Sequence, residues 1–270
     1  MKKQLSLSTA MERLGRRDFL RMLCGMAGAA LLPPAWRLNF VDQTLPVPPT
    51  VMLHTKDHWQ LQNIVRWLND NGYNSVNYRS FAQVIRGEAM LPDKPIILTI
   101  DDVGTHFIQP YFMDMIDLIE KGGYKGVLGL VTRQTPSENK ATWSKLREIA
   151  VRGWELDTHT THHWALPPIL NQDVLKSEIV DSARMIADGI DQPAVSLIAP
   201  YANVRLRNGQ LDQRIFDLAK QAGLEFVVGM AQGRHVAGNE MPPHYLGRVG
   251  VGVDSVQTAW WITHFNIEKP

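Results

Sequence analysis

Apolar and polar residues follow two alternating patterns along the chain from residue 50 onward. Short apolar runs, such as 95–100, 126–132 and 195–199, have the length and composition of buried strands. Between such runs, apolar residues recur at helical spacing, as in 59–68 and 171–190. This alternation predicts parallel strands that are joined by crossover helices, which is an α/β fold.

The complete pattern favours a barrel. Strands are predicted at 51–54, 75–77, 95–100, 126–132, 154–157, 195–199, 225–228 and 245–251. Helices are predicted at 59–68, 81–85, 111–119, 144–151, 171–190 and 211–222. About seven strand–helix units, with no glycine-rich phosphate-binding turn after the first strand, point to a barrel and not to a dinucleotide-binding sheet. In such barrels the chemistry lies at the carboxyl ends of the strands.

Composition excludes several classes of protein. The 270 residues are 44% hydrophobic and 20% charged, which is ordinary for a globular chain and excludes a disordered or fibrous one. The formal net charge of +1 gives no argument for binding to nucleic acid or to a membrane surface. Cys24 is the only cysteine, so one chain cannot form a disulfide framework.

The first 36 residues form a distinct segment. They hold six cationic and two acidic residues, followed by a weakly apolar run at 22–32. The sequence around Arg16-Arg17 resembles the twin-arginine export signal, which is read by a translocase that carries folded proteins. The alternative is a cytoplasmic amphipathic helix with two adjacent arginines. We predict an export signal at 1–36, a proline-containing linker at 37–48, a single domain at 49–270, and a periplasmic or secreted protein.

Two polar clusters follow predicted strands. Asp101 and Asp102 come directly after the strand at 95–100, although aspartates there could also cap a helix. His159 and His163 follow the strand at 154–157, and two histidines four residues apart after a strand end can converge on one ion. The alternative is a histidine-rich surface loop. One carboxylate and two imidazoles suit zinc or another divalent transition metal in hydrolysis, and the second carboxylate would be a general base.

These clusters belong to a set of motifs that resembles a known family. Thr99–Asp102 resembles the Thr-Phe-Asp-Asp signature of polysaccharide deacetylases, the NodB-homology group or carbohydrate esterase family 4. His159–His163 resembles its His-(Ser/Thr)-x-x-His motif, and Leu197–Tyr201 resembles a third motif that ends in Pro-Tyr. Val51–His54 resembles the first strand of the subgroup that deacetylates biofilm poly-N-acetylglucosamine. The resemblance spans about residues 49–250.

The resemblance implies a fold, a cofactor and a set of roles. It implies a distorted (β/α)7 barrel, a divalent metal and hydrolysis of N-acetyl groups on an amino-sugar polymer. By position, Asp102, His159 and His163 would be the metal ligands. Asp101 would be the base that activates the attacking water, and the backbone N–H of Tyr201 would help to hold the oxyanion.

The general acid has two candidates. In most of the family it comes from a late Leu-x-His motif, for which Ile262-Thr263-His264 is a poor match. In the biofilm subgroup the histidine of the first strand takes this role, and His54 matches that position. We therefore favour His54 over His264. The structural alternative for His54 is a buried or capping histidine at a strand end.

Several positions depart from the family pattern. Val103 and Ala202 replace glycines, and Ile198 stands where an arginine usually orients the base. Arg248 could supply the missing charge, but we expect it to form a surface ion pair. Trp260-Trp261 is either a platform for sugar stacking or a core aromatic pair.

The leading hypothesis is therefore an exported, metal-dependent N-deacetylase. Its substrate would be a polymer like poly-N-acetylglucosamine, with zinc as the preferred ion and nickel, cobalt or iron also compatible with the ligands. A polysaccharide synthesis or export complex is a candidate partner, and the sequence leaves the oligomeric state open. The alternative is a non-catalytic carbohydrate-binding or assembly protein that retains the metal site, which the altered positions would favour.

Overall fold

A computed structural model describes residues 47–104, 110–134, 140–230, 243–252 and 255–264. The predicted export signal at 1–36 and most of the linker at 37–48 lie outside the described residues. Within the described ranges, none of the helices has the length and apolar character needed to cross a membrane.

Strands and helices alternate along the described chain. The strands are β1 (Thr50–Leu53), β2 (Asn74–Ser75), β3 (Pro95–Val103), β4 (Val127–Leu130), β5 (Glu155–Thr158), β6 (Ser196–Ile198), β7 (Phe226–Met230) and β8 (His244–Gly250). The helices are α1 (His58–Asp70), α2 (Tyr78–Ile85), α3 (Pro110–Lys121), α4 (Lys140–Val151), α5, α6 (Gln213–Gln221) and α7 (Ser255–Thr263). Helix α5 consists of Gln172–Lys176, a π-helical turn at Ser177–Asp181, and Ser182–Ile190.

Seven of the described strands close into a barrel in which all pairings are parallel. The strand order is β1-β8-β7-β6-β5-β4-β3, and β1 also pairs with β3, which completes the ring. Strand β2 lies outside this ring and pairs with the start of β3. The barrel is uneven, because β5 and β6 share the single registered pair Thr158↔Leu197. The predicted distorted (β/α)7 barrel is confirmed.

Burial explains why the apolar runs form the strands. Residues 96–98 of β3 and 226–228 of β7 are fully buried, as expected for parallel strands that are covered on both faces. In α1, the residues that face the barrel are Leu61, Ile64 and Leu68, which follow helical spacing. Two tilted rings, Tyr78 and Phe226, pack together with centroids 5.8 Å apart.

Strand β3 and helix α7 differ most from the sequence prediction. Strand β3 does not end at Ile100 but continues through both aspartates to Val103, which pairs with Leu130 after a shift of register. Helix α7 was not predicted, because its segment carries apolar residues on several sides and lacks a clear amphipathic pattern. Since α7 follows β8 in a parallel barrel, it leads away from the carboxyl ends of the strands, which we call the barrel mouth.

Candidate metal centre and active site

The end of β3 places two adjacent carboxylates in different surroundings. The register shifts between Ile100 and Val103, and Asp102 adopts a left-handed backbone with φ of 59°. Asp101 is 1% exposed and points into the barrel, whereas the side chain of Asp102 is half exposed at the mouth. The irregular strand end therefore separates a buried carboxylate from a solvent-facing one.

A turn, and not a helix, brings the two predicted metal-ligating histidines together. Thr160 and His163 have φ values of 71° and 62°, so the segment forms a turn and the two histidines converge without a helix. The amide of His163 donates to Thr160 Oγ1 at 3.0 Å, which closes the turn. The imidazoles of His159 and His163 then approach each other, with ring centroids 4.7 Å apart.

Asp102, His159 and His163 form a three-donor cluster at the mouth. One donor atom from each residue lies within 4.8 Å of the others, and the two Nε2 atoms are 3.2 Å and 2.9 Å from Asp102 Oδ1. His159 Nδ1 lies 2.7 Å from the carbonyl oxygen of Ile198, and this contact orients the ring with Nε2 toward Asp102. Hydrogen bonds from His159 and His163 hold the pKa of Asp102 well below its usual range. An ionised carboxylate and two oriented imidazoles fit a divalent transition metal.

Asp101 is held by a buried arginine that the sequence analysis placed at the surface. Arg248 is 1% exposed, and its guanidinium donates to Asp101 Oδ1 at 2.7 Å and to Oδ2 at 2.6 Å. It also donates to Thr99 Oγ1 at 3.1 Å. Burial by itself raises the pKa of Asp101, but the charges of Arg248 and His159 outweigh burial and lower it. The prediction that Arg248 forms a surface ion pair is therefore wrong. Arg248, from β8, instead supplies the positive charge that is missing at Ile198.

His54 lies at the mouth on the end of β1. Its Nε2 is 3.8 Å from Asp102 Oδ2, its Nδ1 is 3.6 Å from Asp57 Oδ2, and its amide donates to the same Asp57 oxygen at 2.8 Å. The hydrogen bond to Asp57 raises the pKa of His54, although burial opposes it. His264 instead lies exposed beyond α7, where Nδ1 contacts the carbonyl oxygen of Trp260. Of the two candidate acids, His54 is the one beside the cluster.

The Pro-Tyr turn presents Tyr201 beside His163 of the donor cluster. Tyr201 and Ala202 both have left-handed backbones, with φ of 55° and 53°. The Tyr201 ring is 70% exposed and its centroid is 4.9 Å from that of His163. The amides of Ala202 and Asn203 donate to carbonyl oxygens within the turn, whereas the Tyr201 amide has no acceptor among the described residues. That N–H is free to donate to a ligand.

The departures from the family pattern are accommodated locally. Val103 is buried within β3, and the positive φ in this segment falls on Asp102, so no glycine is needed at 103. Ala202 does occupy a left-handed position, at a cost of about 1 kcal/mol. Neither residue removes a donor atom from the cluster.

Comparisons with known proteins agree with this fold. The family model described as "Polysaccharide deacetylase" matches residues 89–227. A Bacillus subtilis relative, YxkH, carries the same family description and is 22% identical over 187 residues. The match covers 69% of this chain and 62% of YxkH, so it represents less than two thirds of that protein.

Two solved structures share the barrel. The Streptococcus pyogenes deacetylase PplD, in complex with acetate, matches with a TM-score of 0.65 and 18% identity, over 81% of this chain and 99% of PplD. The de-N-acetylase of Aggregatibacter actinomycetemcomitans matches with a TM-score of 0.57 and 19% identity, over 77% of this chain and 95% of its own. At these identities the likeness establishes the fold.

The fold and the cluster together define a barrel of the carbohydrate-esterase type, with a metal-donor set at the mouth. Because the family model covers more than half of the chain, the protein belongs to the polysaccharide deacetylase family. The family predicted from the motifs is confirmed.

Proposed function

We propose that the protein is an exported, metal-dependent N-deacetylase of an amino-sugar polymer like poly-N-acetylglucosamine. The observation that carries this proposal is that a buried, arginine-paired carboxylate lies next to the cluster of possible metal donors. Asp101, held by Arg248, lies beside the donor cluster, with Asp101 Oδ2 3.9 Å from His159 Nε2. A base, a metal-donor set and an acid are the three elements that amide hydrolysis requires.

Asp102, His159 and His163 would hold the metal, and zinc is our preferred ion. When bound, a divalent metal supplies Lewis acidity, which polarises an amide carbonyl and makes water more acidic. The carbonyl oxygen of Ile198 holds the His159 ring in place, so its Nε2 already faces the other donors of the cluster.

Asp101 acts as the general base. Arg248 keeps the Asp101 carboxylate ionised at neutral pH and holds both of its oxygens, so the side chain stays in one rotamer. In this position it accepts a proton from the attacking water. The backbone N–H of Tyr201 donates a hydrogen bond to the substrate's carbonyl oxygen, which gains negative charge as water adds to the carbonyl carbon.

His54 acts as the general acid. Its raised pKa favours the protonated imidazole, which donates a proton to the amine nitrogen as the carbon–nitrogen bond breaks. Water, Asp101 and His54 thus account for the atoms and protons of the reaction, and the products are acetate and the free amino sugar.

Three observations support the polymer as substrate. The site lies at an exposed barrel mouth, where Asp102 and Tyr201 face solvent. One solved relative is named as a de-N-acetylase and another is described with bound acetate. His54, at the end of β1, follows the pattern of the poly-N-acetylglucosamine subgroup.

The test is acetate release by the purified full chain, loaded with zinc, nickel or cobalt, from poly-N-acetylglucosamine and chitin oligomers. We expect metal-dependent release, with faster release from the first substrate. Asp102→Asn, at a half-exposed position, should lose metal binding by calorimetry while the protein stays folded. A metal-loaded wild type that binds oligomers without releasing acetate would instead support the carbohydrate-binding alternative.

Export is a separate part of the proposal. The twin-arginine pattern predicts that the mature protein is found in the periplasm or medium. Replacing both arginines, with Arg16→Lys and Arg17→Lys, should retain the protein in the cytoplasm, as cell fractionation would show. Unchanged distribution of this variant would contradict twin-arginine export.

A further inference from the structure

Trp164, directly after the ligand His163, is an exposed aromatic side chain that the roles above do not use. It is 50% exposed, and its indole stacks on the imidazole of His162 with centroids 4.6 Å apart and an angle of 17°. One face of the indole is thus covered by a ring. Half of the side chain is exposed, and no second ring among the described residues stacks on the indole.

The ring beneath Trp164 is held from two directions. Glu178, which is fully buried, accepts from the amide of His162 at 2.9 Å, and its other oxygen lies 2.5 Å from His162 Nδ1. Two separate bonds from one buried carboxyl group fix both the backbone and the ring of His162. The indole therefore rests on a support that does not rotate freely.

The π-helical turn in α5 provides this support. Glu178 lies in the turn Ser177–Asp181, and the same turn accepts hydrogen bonds from Thr161 through the carbonyl oxygens of Ser177 and Glu178. Single π-helical turns occur often at functional sites, because they re-aim side chains at a cost in regular hydrogen bonding. Here the turn anchors the loop that carries both the metal ligand and the exposed indole.

An open, immobilised aromatic face suits a particular kind of ligand. The C–H face of a pyranose ring is apolar and flat, while its hydroxyl groups remain at the rim and stay hydrated. Such a ring covers an indole without burying polar groups, and the contact adds weak C–H interactions with the π system. Rigid aromatic surfaces also lose little conformational entropy on binding.

We propose that Trp164, supported by His162 and Glu178, forms a sugar-stacking subsite for the unit next to the one whose acetamido group reaches the metal-donor cluster. Trp164 is the next residue after His163, a member of the cluster, so the Cα atoms of these two residues are about 3.8 Å apart. The inference rests on the proposed function and extends it: the protein recognises at least two linked sugar units. The sugar platform at Trp260-Trp261, considered from the sequence, stays a separate prediction, and a variant of Trp260 tests it in the same experiment.

The chain provides a closely matched control for this subsite. Trp260 is 52% exposed and stacks on His264 with centroids 4.4 Å apart and an angle of 15°. It therefore presents the same kind of supported indole on α7, but it contacts none of the cluster residues. A general effect of removing an exposed tryptophan should be equal for both residues, whereas an effect of the subsite should be confined to Trp164.

The experiment measures kcat and KM of the metal-loaded full chain on a pentamer of poly-N-acetylglucosamine and on a small acetyl ester. For Trp164→Ala we expect KM for the pentamer to rise roughly tenfold, which corresponds to about 1.4 kcal/mol. The value of kcat and the kinetics on the small ester should be unchanged. Trp164→Phe should recover most of the affinity, and Trp260→Ala should behave as wild type.

Pentamer affinity of each variant is measured separately by calorimetry, which distinguishes failure of the subsite from failure of the catalytic proposal. Pentamer binding that is roughly tenfold weaker in Trp164→Ala supports the subsite even if the wild type releases no acetate. Equal KM and equal affinity for wild type and Trp164→Ala overturn it, even if the protein is an active deacetylase. Equal losses for Trp164→Ala and Trp260→Ala, or no pentamer binding by the wild type, also overturn it.

Discussion

Two strands of the barrel each carry two acidic residues, but the surroundings of these residues are opposite. On β3, Asp101 is paired with Arg248 and Asp102 is hydrogen-bonded by two imidazoles, and both pKa values are lowered. On β5, Glu155 and Asp157 are fully buried, and both pKa values are raised. A carboxyl group is available as a base or ligand only where cations or hydrogen bonds offset burial.

The β5 pair accepts hydrogen bonds from backbone amides and a hydroxyl group, and its two carboxyl groups also interact with each other. Glu155 accepts from the amides of Tyr78 and Arg79 at 3.0 Å and 2.9 Å, at the start of α2. Asp157 accepts from the Val195 amide at 2.7 Å and from the hydroxyl of Ser196. These bonds join β5 to α2 and to the start of β6. Burial raises the pKa of Glu155, and the negative charge of Asp157 raises it further, so this group serves the fold.

The largest difference between β3 and β5 should appear when one buried carboxylate from each strand is replaced with the corresponding amide. Asp101→Asn should lower kcat/KM for acetate release about 10²–10⁴-fold, because the base is removed. Glu155→Gln should leave kcat/KM unchanged but lower the free energy of unfolding by about 1–3 kcal/mol, since one backbone N–H loses its acceptor. Equal losses of activity in the two folded variants would contradict the separation of roles.

The same two variants should differ in the pH dependence of stability. The lowered pKa of Asp101 gives a contribution that is present above the unfolded value of 3.8 and is lost as the pH falls through the folded pKa. The raised pKa of Glu155 gives a contribution that is full below the unfolded value of 4.5 and is lost as the pH rises through the folded pKa. Urea unfolding should therefore show that the Asp101→Asn deficit shrinks in acid, and the Glu155→Gln deficit shrinks in alkali.

Arg248→Lys tests whether fixing the base matters beyond keeping it charged. Lysine retains the positive charge but cannot donate to both oxygens of Asp101 in a planar fork. We expect kcat to fall about tenfold, which is the size of one lost charge-assisted hydrogen bond. The acidic limb of the pH profile should also move to higher pH, because the pKa of Asp101 rises.

A matched control for this variant lies at the opposite end of the barrel. Arg152 follows α4 and binds Glu120 through two nitrogens, so Arg152→Lys makes the same change in an ion pair far from the mouth. It should leave kcat and the pH profile unchanged. A pH profile for Arg248→Lys that coincides with that of wild type would show that the arginine does not act through Asp101.

The sequence predicted the parts of the site that lie in compact motifs. The strand–helix alternation gave the barrel, and the placement of Asp101 and Asp102 after an apolar run located the end of β3 at the mouth. The structure places His159 and His163 side by side, through a turn with positive φ angles and not through a helix. Local sequence order was enough, because each motif stays within a few residues of one strand end.

What the sequence did not reveal depends on distant partners. Arg248 reaches Asp101 across 147 positions, and a lone arginine in a strand does not identify its acceptor. One signal was available in the sequence. Arg248 lies two residues after the apolar Leu246, so in a strand both side chains are on the same face, and Leu246 is buried. The support of Trp164 was likewise hidden, because it depends on Glu178 and on a π-helical turn that no sequence pattern indicated.

Asp57→Asn should have the smallest effect, and it tests how the acid differs from the base. Asparagine can still accept from the amide of His54, but it lacks the charge that raises the pKa of the imidazole. Since a general acid must be protonated, activity falls as the pH rises through its pKa. The alkaline limb of kcat/KM should therefore move to lower pH by about one unit or less, while the acidic limb, set by Asp101, stays in place. Asp70→Asn, an exposed change at the far end of α1, should leave both limbs unmoved. If Asp57→Asn also leaves the alkaline limb unmoved, His54 is not the group that protonates the leaving amine. Neighbouring charges at the barrel mouth would then tune the pKa of the base, Asp101, but not the pKa of the acid.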